Sequence, residues 1–183
     1  MISDSDIDEL TLLAIRHGFS GVGCEVRNVA DRLLNDGVDN DDLVTIYLAD
    51  PDDRDTIVAA FERFLGTCNI RIPDRDTAIW GILEHYLKLI AARSGDPLDL
   101  LRDLMDDVYY DYDFHEKTTK YAGDSHGIQY LVGYFWGYDD LVDRPDEVSC
   151  NRKYGAAGVA ELKNEIVNAA VNWLDKYSGR VNS

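Results

Sequence analysis

The sequence predicts an all-α protein, a single domain of about seven helices, and three observations favour this class. Apolar residues recur three or four positions apart along most of the chain, as on the buried face of a helix. The four prolines lie between these periodic segments, and proline is tolerated in the first turn of a helix but not further inside. The length of 183 residues and the apolar fraction of 45% suffice for one hydrophobic core, so we assign residues 1–183 to one helical domain.

The first half of the chain contains five amphipathic segments, residues 5–17, 23–34, 43–49, 53–65 and 74–93. Gly18 follows the first segment and is a candidate C-cap, because glycine is common just past the end of a helix. Asn35, Asp36 and Gly37 follow the second segment and predict that the helix stops there.

The third of these segments is ambiguous between a strand and a helix. Val44, Ile46 and Leu48 alternate with other residues, as they would along a half-buried strand. The segment is short, and no neighbouring segment offers a convincing partner strand. We therefore favour a short helix.

Three further helices are predicted in the second half, over residues 97–108, 127–141 and 158–177. The first begins at Asp96-Pro97, because aspartate is a good N-cap and proline suits the first helical position. The last has the most regular apolar spacing in the chain, with Leu162, Ile166 and Trp173 on one face.

The charge of the chain restricts its partners. The net charge is −17, from 35 acidic and 18 basic side chains. Such a surface repels phosphate, which argues against direct binding to nucleic acid or to an anionic membrane. It suits binding to a basic protein partner. The alternative is that the acidic surface is an adaptation to a salty cytoplasm. No apolar run approaches the roughly 20 residues that a membrane-spanning helix needs.

The cysteines and the first residues bear on localisation. Cys24, Cys68 and Cys150 are odd in number and widely spaced, which argues against a disulfide framework or a zinc site. The N-terminus carries Asp4 and Asp6 where a signal peptide would be basic. These features predict a cytoplasmic protein with reduced thiols.

One stretch departs from the plain amphipathic pattern: residues 106–115, Asp-Asp-Val-Tyr-Tyr-Asp-Tyr-Asp-Phe-His, which we call the acidic tyrosine segment. Its four aromatic rings besides histidine cannot all enter one core, so some should reach solvent or pack under the following loop. Exposed tyrosines supply rigid contact area with a polar tip, and aspartates beside them attract a basic partner. A second acid pair follows on the predicted helix 127–141. The candidate partner-binding residues are Asp106, Asp107, Tyr110, Asp111, Asp113, Asp139 and Asp140.

The same acids allow two other interpretations. One is a small helical hydrolase that uses a divalent metal ion. Its imidazole and carboxylate ligands could come from His85, Asp111, Asp113, His115 and His126. An Asp-Asp-x-x-Asp pattern over residues 139–143 is typical of magnesium–diphosphate sites, but the chain offers no good second acidic motif to face it. The other interpretation is a non-catalytic acidic adaptor module.

The run Leu-Met-Asp-Asp-Val-Tyr-Tyr-Asp-Tyr-Asp-Phe, residues 104–114, resembles a motif of small acidic helical bacterial proteins of the toxin-immunity type. Those proteins carry Ile-Tyr-x-Asp-Phe-Asp-Tyr after a helix that opens with Asp-Pro, as Asp96-Pro97-Leu98 does here. Residues 133–141 and the terminal amphipathic helix are also similar, so the resemblance covers residues 96–177. It departs after Phe114, where His115-Glu116-Lys117 stands in place of Pro-Glu-Glu.

This resemblance implies a cytoplasmic protein without catalysis or cofactor that binds and blocks a toxin. Toxin domains of this kind are often basic nucleases, so an acidic protein would occlude a phosphate-binding cleft. The resemblance does not imply which toxin is bound, and the sequence leaves the oligomeric state open.

Overall fold

The computed structural model describes residues 2–21, 24–115, 120–143 and 155–178, and for residues 139–143 and 155 it describes the backbone alone. All regular structure in those ranges is helical, so the predicted all-α class is confirmed. The α-helices are α1 (Asp4–Ser20), α2 (Glu25–Asn35), α3 (Asp41–Leu48), α4 (Arg54–Thr67), α5 (Arg75–Ala91), α6 (Pro97–Leu104), α7 (Gln129–Asp143) and α8 (Gly155–Tyr177). A π-helical turn (Met105–Tyr109) follows α6 directly, and a 3₁₀ turn (Asp124–His126) precedes α7.

The chain divides into two compact units, Met1–Gly81 and Ile82–Ser183, which we call the N-terminal and C-terminal units. The division falls within α5, so that helix contributes residues to both units. The assignment of the whole chain to one domain stays a prediction.

The N-terminal unit has a core of aliphatic and phenylalanine side chains. Helix α3 packs against both α2 and α4. The largest fully buried side chains of this core are Leu10, Leu33, Leu43, Ile46, Phe61, Phe64 and Leu65. Full burial of a side chain of this size contributes about 1.5–3 kcal/mol, so this core is the main stabilising feature of the unit.

Polar side chains cap the first turns of α1, α3 and α4. Ser3 and Asp6 form a reciprocal capping box at α1, in which each side chain accepts the backbone N–H of the other residue. Asn40 and Asp53 accept backbone N–H bonds at the starts of α3 and α4. Helices α1, α3 and α4 therefore begin where an oxygen-bearing side chain accepts free amide N–H groups, whereas Cys24 at the start of α2 makes no such hydrogen bond.

The prediction that Gly18 ends the first helix is wrong. Helix α1 continues to Ser20, and the cap is Gly21, whose φ of 90° suits glycine. Gly18 lies inside the helix, where a Cβ atom would stand 2.3 Å from the carbonyl oxygen of Pro73. Close packing therefore accounts for this glycine, because any larger residue would collide with the backbone at Pro73.

The ambiguous third segment is helix α3, as we favoured. Leu43 and Ile46 are buried three positions apart, which is the spacing of a helix face. Val44 and Leu48 are exposed, the latter by 72%. The alternation of apolar residues in the sequence therefore does not correspond to one buried face of a strand.

In the C-terminal unit, helices α6, α7 and α8 pack against one another. Asp96 caps α6 as predicted, accepting the N–H of Leu98 at 2.9 Å, and Pro97 occupies the first helical position. The Asp96 carboxylate also accepts a hydrogen bond from the Lys163 ammonium of α8. That contact holds the pKa of Asp96 below its usual range, so the capping carboxylate stays ionised in mild acid.

Two findings concern the thiols and the membrane. Cys24 and Cys68 are free thiols, while Cys150 lies outside the described residues. In the ranges that the structure describes, no helix combines the length and the apolar character needed to cross a membrane. Localisation in the cytoplasm stays a prediction.

Candidate functional site

The acidic tyrosine segment begins in the π-helical turn that continues α6. The sequence predicts a helix over residues 97–108, but the α-helical geometry ends at Leu104. In the π turn, Met105 and Val108 are fully buried, whereas Asp106 is exposed. A π-helical turn takes more residues than an α-helical one and shifts the faces that follow, and such turns are frequent at functional sites.

After the π turn the chain returns two rings to the core. Tyr112 and Phe114 are buried, and their ring centroids lie 4.9 Å apart. The His126 ring packs edge-on against both, at 5.2 Å from Tyr112 and 5.3 Å from Phe114. Tyr109 stacks on Phe114 at 5.8 Å. We call Tyr109, Tyr112, Phe114 and His126 the ring cluster.

The histidine of the ring cluster is held from two further sides. Its ring nitrogen Nδ1 lies 2.8 Å from the hydroxyl of Ser125, and only 4% of the residue is exposed. The indole N–H of Trp173 in α8 donates to the His126 carbonyl oxygen at 2.7 Å. Gly123 and Gly127, both with positive φ, flank the 3₁₀ turn that carries the histidine. The ring cluster is therefore fixed by hydrogen bonds as well as by packing.

The side chains next to the buried rings in the sequence point towards solvent. Tyr110 is 62% exposed, and Asp111 and Asp113 are exposed as well. Tyr110 contacts its neighbour Tyr109 edge-on at 5.6 Å, which links it to the ring cluster. The expectation that some of these rings reach solvent is confirmed, since Tyr112 and Phe114 are buried and Tyr110 is not.

Asp107 and Asp113 make hydrogen bonds within the chain. The hydroxyl of Tyr86 in α5 donates to Asp107 Oδ2 at 2.5 Å, and Asp107 is half-buried. Asp113 Oδ1 accepts the backbone N–H of His115 at 2.9 Å, which is the bond of an Asx turn. These contacts fix the two ends of the acidic tyrosine segment.

Asp106, Asp107, Tyr110, Asp111 and Asp113 are neighbours in the sequence, and in the structure all of them except the half-buried Asp107 are exposed. Asp139 and Asp140 belong to the last part of α7, and their side chains lie outside the described residues.

The five residues considered as metal ligands do not form a metal site in the described part of the chain. Among the described residues, no group of three or more His, Cys, Asp or Glu side chains is arranged to hold a metal ion. His126 contacts rings instead, and His85 packs edge-on against Tyr86 at 5.5 Å. The sequence does not reveal the structural roles of Tyr86, His126 and Trp173, because each depends on partners far outside its own turn of the chain.

The exposed side chains of the acidic tyrosine segment are suited to contact a partner. Its exposed carboxylates accept hydrogen bonds from lysine or arginine, and its exposed tyrosine supplies apolar area with a hydroxyl at the tip. None of the protein families, curated proteins and solved structures compared with this chain matches it. The functional inference therefore depends on the side chains of this chain.

Proposed function

We propose that this protein is an immunity-type protein, which binds a basic bacterial toxin domain and neutralises it. The binding surface is the exposed part of the acidic tyrosine segment, which we call the acidic tyrosine face: Asp106, Tyr110, Asp111 and Asp113. Asp107 lies at its edge, and Asp139 and Asp140 extend the acidic character along the chain. A nuclease domain is the favoured kind of toxin, because its phosphate-binding cleft is basic.

The observation that carries this proposal is the division of one short segment into buried rings and exposed acids. Tyr112 and Phe114 are anchored in the ring cluster, so the backbone that carries Asp111 and Asp113 is held in one conformation. A surface fixed before binding loses little conformational entropy when the partner arrives. A stretch of acids kept only for solubility would not need such support from below.

The parts of the face would contribute in different ways. The net charge of −17 and the aspartates would speed the encounter with a basic partner and orient it. Tyr110 would then supply the anchor, because a rigid aromatic side chain buries much area for two rotatable bonds. Added salt should consequently weaken the complex and slow the association of the two proteins.

The test is capture of the partner followed by a growth assay. The tagged protein isolates its partner from the native host at low salt, and the gene of any basic polypeptide that elutes in equal amount is expressed in a second bacterium. We expect this polypeptide to arrest growth, and co-expression of the wild-type protein to restore it.

Charge reversal then assigns the effect to the face. Asp111→Lys with Asp113→Lys should abolish protection and weaken binding by about 3 kcal/mol, because like charges would face the partner. The matched control is Asp39→Lys with Asp52→Lys, which makes the same change in net charge at two exposed acids of the N-terminal unit. This control should bind and protect like the wild type.

Three results would contradict the proposal. Equal loss of binding in both double variants would assign the effect to overall charge. A loss of thermal stability in the Asp111/Asp113 variant that matches its loss of binding would assign these residues a structural role. A captured polypeptide that is harmless to the second bacterium would exclude the toxin and favour an adaptor.

A further inference from the structure

A groove in the C-terminal unit lies between the start of α7 and the last turns of α8. Its volume is about 410 Å³, within the roughly 300–1,000 Å³ of typical small-ligand sites. Four aromatic residues line it: Tyr130, Tyr134, Trp173 and Tyr177. Trp173 is buried, whereas Tyr130 is 68% exposed. The groove therefore has aromatic walls that reach from the core to the surface.

The polar residues of the groove are rich in hydrogen-bond acceptors. Gln129 Oε1 is closed off from solvent and has no hydrogen-bond partner among the described residues. Glu165 contributes a carboxylate, and Asn168 and Asn172 contribute side-chain amides one turn apart on α8. A buried acceptor without a donor is unfavourable, so a rotation of the Gln129 side chain towards a donor in the groove would relieve that cost.

The tyrosine wall already contacts a cation. The ammonium group of Lys176, at the rim of the groove, lies 4.9 Å from the ring centroid of Tyr177. This is within the distance at which a cation is attracted to the face of an aromatic ring. Lys176 offsets the charge of Glu165 in this lining, so the aromatic faces and the acidic surface of the chain are what favour a positively charged ligand.

We propose that this groove binds the guanidinium group of an arginine side chain that a protein partner presents. A guanidinium is planar, stacks on aromatic rings and carries five N–H donors for acceptors such as Glu165 and Gln129. The ammonium of lysine is a compact and strongly hydrated charge, so it stacks on an aromatic lining less well. The net charge of −17 would favour the approach of any such cationic side chain.

The groove is connected to the ring cluster that lies beneath the acidic tyrosine segment. Trp173, which lines the groove, donates its indole N–H to the carbonyl oxygen of His126 in the ring cluster. An arginine in the groove would thus add a second contact for the basic partner. That role rests on the proposed function, whereas binding of a free arginine derivative does not.

The test is a titration of the isotope-labelled protein, followed by NMR, with N-acetyl-arginine methylamide. The lysine and citrulline derivatives are the comparison probes, since citrulline keeps the planar shape and loses the charge. We expect saturable shifts of the Trp173 indole N–H and of the Asn168 and Asn172 side-chain amides. The arginine derivative should bind about fivefold more tightly than the lysine derivative and about tenfold more tightly than the citrulline derivative.

Variants assign the binding to the groove. Glu165→Gln should weaken binding of the arginine derivative about tenfold, because glutamine has nearly the same shape as glutamate but lacks its negative charge. Tyr130→Ala should also weaken binding. Because the Tyr130 side chain is exposed, this replacement should leave the fold intact. The control is Glu161→Gln, the same replacement one turn earlier on α8 and outside the groove lining, which should leave binding unchanged.

The inference would be overturned by equal binding of the citrulline and arginine derivatives, or by equal weakening in Glu165→Gln and Glu161→Gln. Shifts confined to the aspartates of the acidic tyrosine segment would also overturn it, because they would report non-specific attraction to the acidic surface. The titration contains no toxin, so its failure would leave the capture and growth experiment standing, and the reverse also holds.

Discussion

The N-terminal and C-terminal units are both helical, but their interiors differ in chemistry. In the N-terminal unit, the buried cluster consists of aliphatic and phenylalanine side chains. In the C-terminal unit, the interior also includes Tyr112, the histidine ring of His126 and the indole N–H of Trp173, which donates to a backbone carbonyl. Such hydrogen bonds require specific geometry, because a buried polar group without its partner costs free energy.

This difference predicts that the two interiors contribute differently to the candidate site. An aliphatic core stabilises a helix bundle but does not demand one orientation of the surface above it. The ring cluster instead fixes the backbone of residues 109–114, and with it the side chains that alternate towards solvent. We therefore expect changes in the C-terminal interior to affect the candidate site as well as stability, and changes in the N-terminal interior to affect stability alone.

The largest effect is expected from Phe114→Ala. Removal of a fully buried phenylalanine should lower the free energy of unfolding by about 3–5 kcal/mol, measured by urea denaturation. The backbone N–H of Tyr112, which donates to Val108 at 3.0 Å, should also exchange with solvent much faster. Phe64→Ala is the matched control in the N-terminal unit, because Phe64 is equally buried. It should cost a similar free energy without faster exchange at Tyr112, and the same acceleration in both variants would remove the distinction between the units.

A smaller effect is expected from alanine at two glycines. Gly127 has a φ of 73°, and a Cβ atom there would stand 2.4 Å from the Tyr177 ring. Gly18→Ala would place its Cβ 2.3 Å from the Pro73 carbonyl oxygen. We expect each variant to lose about 2 kcal/mol of stability, from backbone strain and overpacking.

Gly66→Ala in α4 is the control for both glycine variants. Among the described residues, no atom from beyond the local turns of α4 lies within 4 Å of a Cβ placed there, so the replacement should raise stability by about 0.5–1 kcal/mol. Thermal unfolding of the three variants compares them directly. Destabilisation by Gly66→Ala would show that the close contacts at Gly18 and Gly127 are not the cause of their losses.

The sequence predicts most of the helices, because their start signals are local. Asp96-Pro97 begins α6 as expected, and the short segment that became α3 follows the Asn40 cap. The end of α1 was not predictable, since Gly18 is required by Pro73, which lies 55 positions further along the chain. The π turn was equally hidden, because its residues keep a helical spacing of apolar side chains.

The candidate site was predictable as a stretch of sequence but not as a surface. Composition identifies the acids and tyrosines, and the number of rings implies that some are exposed. Which rings are buried depends on His126 and, through its carbonyl, on Trp173, and no local pattern connects those residues to Tyr112.

A moderate effect is expected from Asp96→Ala in the C-terminal unit. The variant loses both the N-cap of α6 and the contact with Lys163. The expected cost is about 1–2 kcal/mol in urea denaturation, as for other lost caps. Asp103→Ala, an exposed aspartate on the same helix, should change stability by less than about 0.5 kcal/mol. Equal effects of the two replacements would contradict a capping role for Asp96.

The smallest expected effect is on the pH dependence of stability in the N-terminal unit. Hydrogen bonds from Ser3 and Arg32 lower the pKa of Asp6 from 3.8 to about 2. A carboxyl group whose pKa is lower in the folded state contributes stability above its ordinary pKa, and this contribution is lost as the pH falls from 3.8 towards 2. Asp6→Asn should therefore reduce the melting temperature at pH 5 more than at pH 2. Asp8→Asn is the control on the same helix, and an identical pH profile for the two variants would contradict the assignment.

Hydrogen exchange on the protein, alone and bound to the captured basic polypeptide, tests the central claim most directly. We predict that residues 106–113 become protected in the complex, while the surface of the N-terminal unit exchanges at its usual rate. Protection confined to the N-terminal unit, with residues 106–113 unchanged, would contradict the assignment of the acidic tyrosine face as the binding surface.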